Sequence, residues 1–142
     1  MITSAAASLL FLCGALQART MYLSTSGDDS APAAQGAEFR TLAVATARLA
    51  AGDTLIVREG TYEGGVVMTV RGAPKAPVLL HGESPDAEIK GSPSGIDALR
   101  IQDCSYVILE QITFRNAGRA GCAVRFSDHV TVRGCRFLDN EK

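Results

Sequence analysis

The sequence predicts an all-β fold, a solenoid of short parallel strands with three strands per coil, and two observations predict it. The first is a repeat near the end of the chain, where Ala98-Leu99-Arg100-Ile101-Gln102-Asp103 recurs as Ala123-Val124-Arg125-Phe126-Ser127-Asp128. Beyond it, Val107-Ile108-Leu109 answers to Val130-Thr131-Val132, and Ile112-Thr113-Phe114 answers to Cys135-Arg136-Phe137. The offset reads as 25 residues at Ile101/Phe126 (126 − 101) and 23 at Phe114/Phe137 (137 − 114). Periods of about 20–50 residues built from short β-type runs mark units that bury their apolar faces only by stacking on each other. The second observation is that everything from Asp53 onward reads as short strands and turns.

The elements follow in order. Ala5 to Leu16 is an apolar run of 12 residues, too short to span a bilayer. Residues 1–18 therefore read as a secretory signal cut after Ala18. The remainder, 19–142, is expected to be secreted, periplasmic or at the cell surface. Met21-Tyr22-Leu23-Ser24 is a short strand ended by the turn residues of 26–30, and 31–38 is a loop. A helix is predicted over Leu42–Ala51, with Thr41 as N-cap and Gly52 as the stop. Its Leu42, Ala45, Thr46 and Leu49 form a narrow apolar stripe suited to covering the open end of a solenoid.

Three circuits follow. The first takes Leu55-Ile56-Val57, Val66 to Val70 and Val78-Leu79-Leu80, with Gly60 and Gly64-Gly65 at its corners. The second takes Glu88-Ile89-Lys90, Leu99-Arg100-Ile101 and Val107-Ile108-Leu109. The third takes Ile112-Thr113-Phe114, Val124-Arg125-Phe126 and Val130-Thr131-Val132, and a fourth begins at Cys135-Arg136-Phe137. Alternation within a strand puts Leu99 and Ile101 inward and Arg100 outward. No capping element follows Asp139, so the chain reads as the N-terminal part of a longer protein. The competing antiparallel sandwich does not explain why residues align from circuit to circuit.

Composition narrows the function classes. The chain has 142 residues, enough for one domain, with 46% hydrophobic and 20% charged residues and a net charge of −1. With no basic run, nucleic acid and anionic membrane surfaces are poor partners. Aromatic residues make up 6% and Trp is absent, which argues against a stacking platform for single strands or sugars. Without Cys13 in the leader, Cys104, Cys122 and Cys135 remain, and they are expected to be free buried thiols. No CxxC or Cys/His metal spacing occurs.

Tyr22-Leu23-Ser24 with Gly27-Asp28, Phe39-Arg40-Thr41-Leu42, Ala51-Gly52-Asp53-Thr54-Leu55 and Gly60-Thr61-Tyr62 carry a resemblance, joined by Phe114-Arg115-Asn116 and Phe137-Leu138-Asp139-Asn140. Over residues 21–142 the chain resembles the opening of secreted right-handed parallel β-helix proteins, the pectate-lyase-like superfamily. Alginate lyase and chondroitinase relatives belong to it. The resemblance implies a right-handed parallel β-helix with a short N-terminal capping helix. It is unspecific for activity, since the superfamily also holds hydrolases, epimerases and non-catalytic surface proteins. Calcium in the full-length protein is implied by the resemblance alone. The calcium-binding acids and the Lys or Arg base of such lyases lie on later coils, so no catalytic residue is carried over.

Several polar alignments remain. Arg100 and Arg125 are read as sharing an outward position on adjacent coils, where they could pair with the carboxylates of a uronate-rich polysaccharide. Against this, a solvated face with nearby acids such as Asp97 balancing it explains them better. Asp103 and Asp128 are read as aligned beside a turn, where turn formation accounts for both and no metal site is assigned. Asn116 aligns with Asp139, with Asn140 one place later, as a structural stack. Glu110 and Arg133 align with opposite charge. His81 and His129 occupy unrelated positions and read as turn or surface residues. Ser127, Asp128 and His129 cannot form a triad, because adjacent side chains point apart.

The functional expectation is a β-helix acting on acidic polysaccharide, a lyase by β-elimination in the full-length protein, with residues 19–142 alone inactive. A non-catalytic β-helix that binds glycans or builds a surface structure is the alternative. Polysaccharide is the expected partner, with no nucleic acid, no membrane span and a monomeric state.

Overall fold

The computed structural model describes residues 18–92 and 96–140. The predicted leader falls almost entirely outside the described residues. Among the described residues are thirteen strands and one short helix: β1 (Thr20–Leu23), β2 (Glu38–Phe39), α1 (Leu42–Ala47), β3 (Thr54–Val57), β4 (Gly60–Glu63), β5 (Val66–Met68), β6 (Val78–Gly82), β7 (Ala87–Lys90), β8 (Leu99–Gln102), β9 (Ser105–Glu110), β10 (Thr113–Arg115), β11 (Cys122–Arg125), β12 (Asp128–Arg133) and β13 (Arg136–Leu138).

Every named strand pair is parallel, and the strands fall into three sheets. Sheet A runs β12-β9-β6-β3-β1-β2, sheet B runs β13-β10-β7-β4, and sheet C runs β11-β8-β5. The chain visits A, B and C in turn, so β3-β4-β5, β6-β7-β8 and β9-β10-β11 are three full coils and β12-β13 opens a fourth. This is the parallel β-solenoid that the repeat predicts.

Inward positions make one continuous core. Leu55, Leu80 and Leu109 stack in sheet A, Tyr62, Ile89 and Phe114 in sheet B, and Met68 with Ile101 in sheet C. The Tyr62 hydroxyl, buried with its ring, donates towards the carbonyls of Leu23 (3.1 Å) and Arg58 (3.0 Å), which satisfies a polar atom that burial would otherwise penalise.

At the N-terminal end α1 packs over β1, β2 and β5. Thr41 caps it by accepting from the Val44 N–H at 3.4 Å, and Leu42, Ala45, Thr46 and Leu49 are buried as the stripe predicted. The helix ends at Ala47 rather than Ala51, since the Asp53 carboxylate takes the Ala50 N–H at 2.8 Å and Gly52 turns at φ +85°.

Two features of the predicted coils are corrected. Gly60 to Glu63 is a strand, not a corner, and Leu55-Ile56-Val57 and Val78-Leu79-Leu80 lie in the same sheet rather than in one circuit. More consequential, β11 pairs with β8 as Cys122↔Leu99, Ala123↔Arg100, Val124↔Ile101 and Arg125↔Gln102. The offset there is 23 (122 − 99), not 25, and it equals the offset at Val107↔Val130 and Phe114↔Phe137.

Backbone dihedrals show the same period. Asp103, Tyr106, Gln111 and Asn116 have φ of +55°, +52°, +57° and +57°. Each finds a left-handed counterpart 23 residues on: Phe126 (+50°), His129 (+51°), Gly134 (+63°) and Asp139 (+55°). Consecutive coils thus bend at identical places. Asn140 adds the expected structural bridge, accepting from the Ala117 N–H at 2.8 Å and donating to the Phe114 carbonyl at 3.2 Å.

A candidate glycan-binding face on sheet C

From β3 onward, the connections longer than four residues, 69–77, 91–98 and 116–121, all adjoin sheet C, whereas those from sheet A to sheet B run for two to four residues. The outward face of sheet C is thereby the one flanked by loops, the usual place for a binding surface on a rigid scaffold.

On this face the two predicted arginines part company. Arg100, outward on β8, donates through Nε to Asp97 Oδ2 at 3.0 Å and places a second guanidinium nitrogen at 3.0 Å. Asp97 is buried, with its side chain 2% exposed, and also receives the Ala120 N–H at 3.2 Å and Arg119 at 3.6 Å. Burial pushes the Asp97 carboxyl up. The bonds from Arg100 and Ala120, with the charges of Arg119 and Arg100, outweigh that and hold it below the usual carboxylate range. Arg100 is therefore balanced by Asp97, as the bland reading had it.

Arg125 does not stack on Arg100. It lies over Gln102, two pairs further along, because the register is two residues from that read in the sequence. Among the described residues Arg125 is exposed and makes no ion pair. Asp103 and Asp128 are likewise not aligned, since Asp128 pairs with Ser105 and Asp103 sits at the corner that Phe126 occupies one coil later. Among the described residues no three His, Cys, Asp or Glu side chains gather in a way that could hold a metal ion.

Other polar groups fall elsewhere. On the outward side of sheet A, His81, Glu110 and Arg133 line up across three coils. Glu110 accepts from Arg133 Nε at 2.8 Å and lies 2.8 Å from His81 Nδ1. The Arg133 bond pulls the Glu110 carboxyl down, burial opposes it, and His81 adds to the lowering. His81 is thus on a strand, not in a turn, and its pairing with Glu110 was missed because the 29-residue spacing (110 − 81) departs from the later period. His129 is exposed beside Asp128 (3.0 Å) and stacks on Tyr106, ring centroids 4.3 Å apart. The Ser127 hydroxyl donates to the Arg125 carbonyl at 2.8 Å and accepts from the Cys104 N–H at 2.9 Å, so no triad assembles.

The three cysteines among the described residues are free. Cys104 is buried as expected, while Cys122 in the third coil and Cys135 in the fourth are only half-buried. Burial, reinforced by Cys135 and Asp97, pushes the Cys122 thiol up to about 12.

The sequence matches no protein-family model. It matches no curated protein. The structure is similar to that of an alginate lyase from Paenibacillus sp. str. FPU-7, with a TM-score of 0.63 and 20% sequence identity. The likeness is one of fold. It covers 69% of this chain and 34% of that one, so the shared solenoid spans about a third of the alginate lyase. Among the described residues no helix is long and apolar enough to cross a membrane.

Proposed function

We propose that the chain is part of an exported β-helix protein that binds acidic polysaccharide on sheet C and, in the whole protein, cleaves it by β-elimination. One observation carries the reading: a lyase-like solenoid on whose sheet C Arg125 is exposed and, among the described residues, without an ion pair, while Arg100 on the same sheet is already held by the buried Asp97. Elimination requires a base to take the C5 proton of a uronate while its carboxylate is neutralised. The C4–O bond then breaks, a C4=C5 double bond forms, and the leaving oxygen gains a proton. Arginine suits the neutralising role by bidentate pairing. No residue of this chain is assigned as the base, and export rests on the apolar run Ala5 to Leu16.

The test is native electrophoresis of the chain in gels containing alginate, pectate or a neutral glucan, together with an absorbance assay for unsaturated uronates. Retardation by the uronans and not by the glucan is expected, without turnover. Unchanged mobility in every gel would sink the reading, and turnover by these residues would overturn the expected inactivity.

A further inference from the structure

We propose that Phe126 and Arg125 form a subsite for a single uronate ring, with Phe126 packing against the C–H face of the sugar and Arg125 pairing with its carboxylate; this rests on the acidic-polysaccharide reading above. Phe126 is 81% exposed, more than any other exposed large hydrophobic residue among those described. It also has φ +50°, a left-handed conformation that bulky L-residues rarely adopt. The equivalent corner one coil earlier holds Asp103, a residue type that tolerates this conformation. Phe126 therefore carries strain with little packing in return, the combination that collects at binding sites.

The exposure belongs to the corner and not to the end of the solenoid. Asp103 is exposed as well, although the next coil stacks on it and its N–H donates to the Arg125 carbonyl at 3.1 Å. By contrast Val124 and Phe137 occupy inward positions, equivalent to the buried Ile101 and Phe114.

Arg125 precedes Phe126 on the outward side of β11 and has no acid paired with it among the described residues. The backbone beneath the two is fixed. Besides the Asp103 bond, the Ser127 hydroxyl donates to the Arg125 carbonyl at 2.8 Å and accepts from the Cys104 N–H at 2.9 Å. A corner held in this way is ordered before a ligand arrives, which lowers the entropy cost of binding. The low aromatic content argues against a platform of several rings, and one ring beside one cation is a smaller device, matched to a sugar with an apolar face and a single carboxylate.

The test copies the chemistry of the preceding coil. Phe126→Asn removes the ring and suits the left-handed corner, Phe126→Gly serves as a second variant, and Arg125→Gln installs the residue found at the paired position 102. Affinity for an oligouronate is measured by titration calorimetry, and folding by thermal melting. Each variant is expected to bind about tenfold more weakly, a loss of about 1.4 kcal/mol, with its melting midpoint unchanged or raised for the Phe126 variants. If the wild type binds uronate and both Phe126 variants bind equally well, the subsite is wrong and the polysaccharide reading stands. If the wild type binds a neutral glucan as well as the uronate, the carboxylate assignment is wrong. If it binds neither, both readings fall.

Discussion

The two ends of the solenoid are made of the same kinds of residue and differ in what lies over them. At the N-terminal end α1 presses Leu42, Ala45 and Leu49 onto the first strands, and Met21, Leu23 and Leu55 are fully buried. At the other end, nothing among the described residues covers β11, β12 and β13. Val124, Val132 and Phe137 are 46%, 40% and 49% exposed, while Ile101, Leu109 and Phe114, one coil back in register, are at 0%. Register decides which way a side chain points, and the neighbouring coil decides whether pointing inward stabilises anything.

Truncating one ring in each half of a stacked pair would test this most strongly. Phe114 and Phe137 stack with centroids 5.3 Å apart and planes at 10°. Phe114→Ala is expected to cost about 3–5 kcal/mol by urea denaturation, the range for a buried aromatic. Phe137→Ala should cost about 1 kcal/mol, since little beyond the stack is lost. Equal losses would mean that the C-terminal end is covered in solution.

Two aspartates sharpen the comparison at a smaller scale. Asp53, its side chain 1% exposed, takes two bonds from Arg19 (3.1 and 2.7 Å) and the Ala50 N–H. Asp53→Ala should cost about 2–3 kcal/mol, because charged and backbone donors lose their acceptor. Asp128→Ala, at an exposed acid near the open end, should stay within about 0.5 kcal/mol.

Acid should act on the middle and late coils through Asp97 and Glu110, whose folded pKa values lie below the usual 3.8 and 4.5. Groups lowered on folding stabilise the native state above their unfolded values, and that contribution is lost as pH falls through the folded ones. The urea midpoint should therefore drop on acidification below about pH 4.5, and Asp97→Asn with Glu110→Gln should flatten the drop. An unaltered profile in the double variant would remove these two groups from the account. A small effect, about 0.5–1 kcal/mol, is expected from Thr41→Ala in thermal or urea melts, because the capping bond to Val44 is long at 3.4 Å.

The sequence was most legible where a residue's period determines its role. The helix stripe, the inward Leu99 and Ile101, the Glu110–Arg133 pair and the Asn116–Asp139 alignment all stand in the structure. The Arg100–Arg125 and Asp103–Asp128 alignments do not, and the reason is specific. A slip of two residues leaves every strand residue on the same face, so alternation cannot separate an offset of 25 from one of 23. The matching Ala, Arg and Asp residues made the longer offset look better. The corners would have settled it, but Tyr106, Gln111 and Phe126 are not residues that announce a left-handed turn.

The strand β4 was hidden for a related reason, its opening Gly60 resembling a corner residue while Tyr62 packs inward. His81 met Glu110 only through a coil of unequal length.

The sequence by itself determined the fold class, the capping helix and the direction in which most strand residues point, because these follow from local periodicity and from residues that repeat. Only the tertiary structure decided which coil positions touch, and hence that Asp97 holds Arg100 while Arg125 and Phe126 are exposed at a corner. Those contacts depend on register across coils, set by backbone turns whose dihedrals the side chains there do not declare.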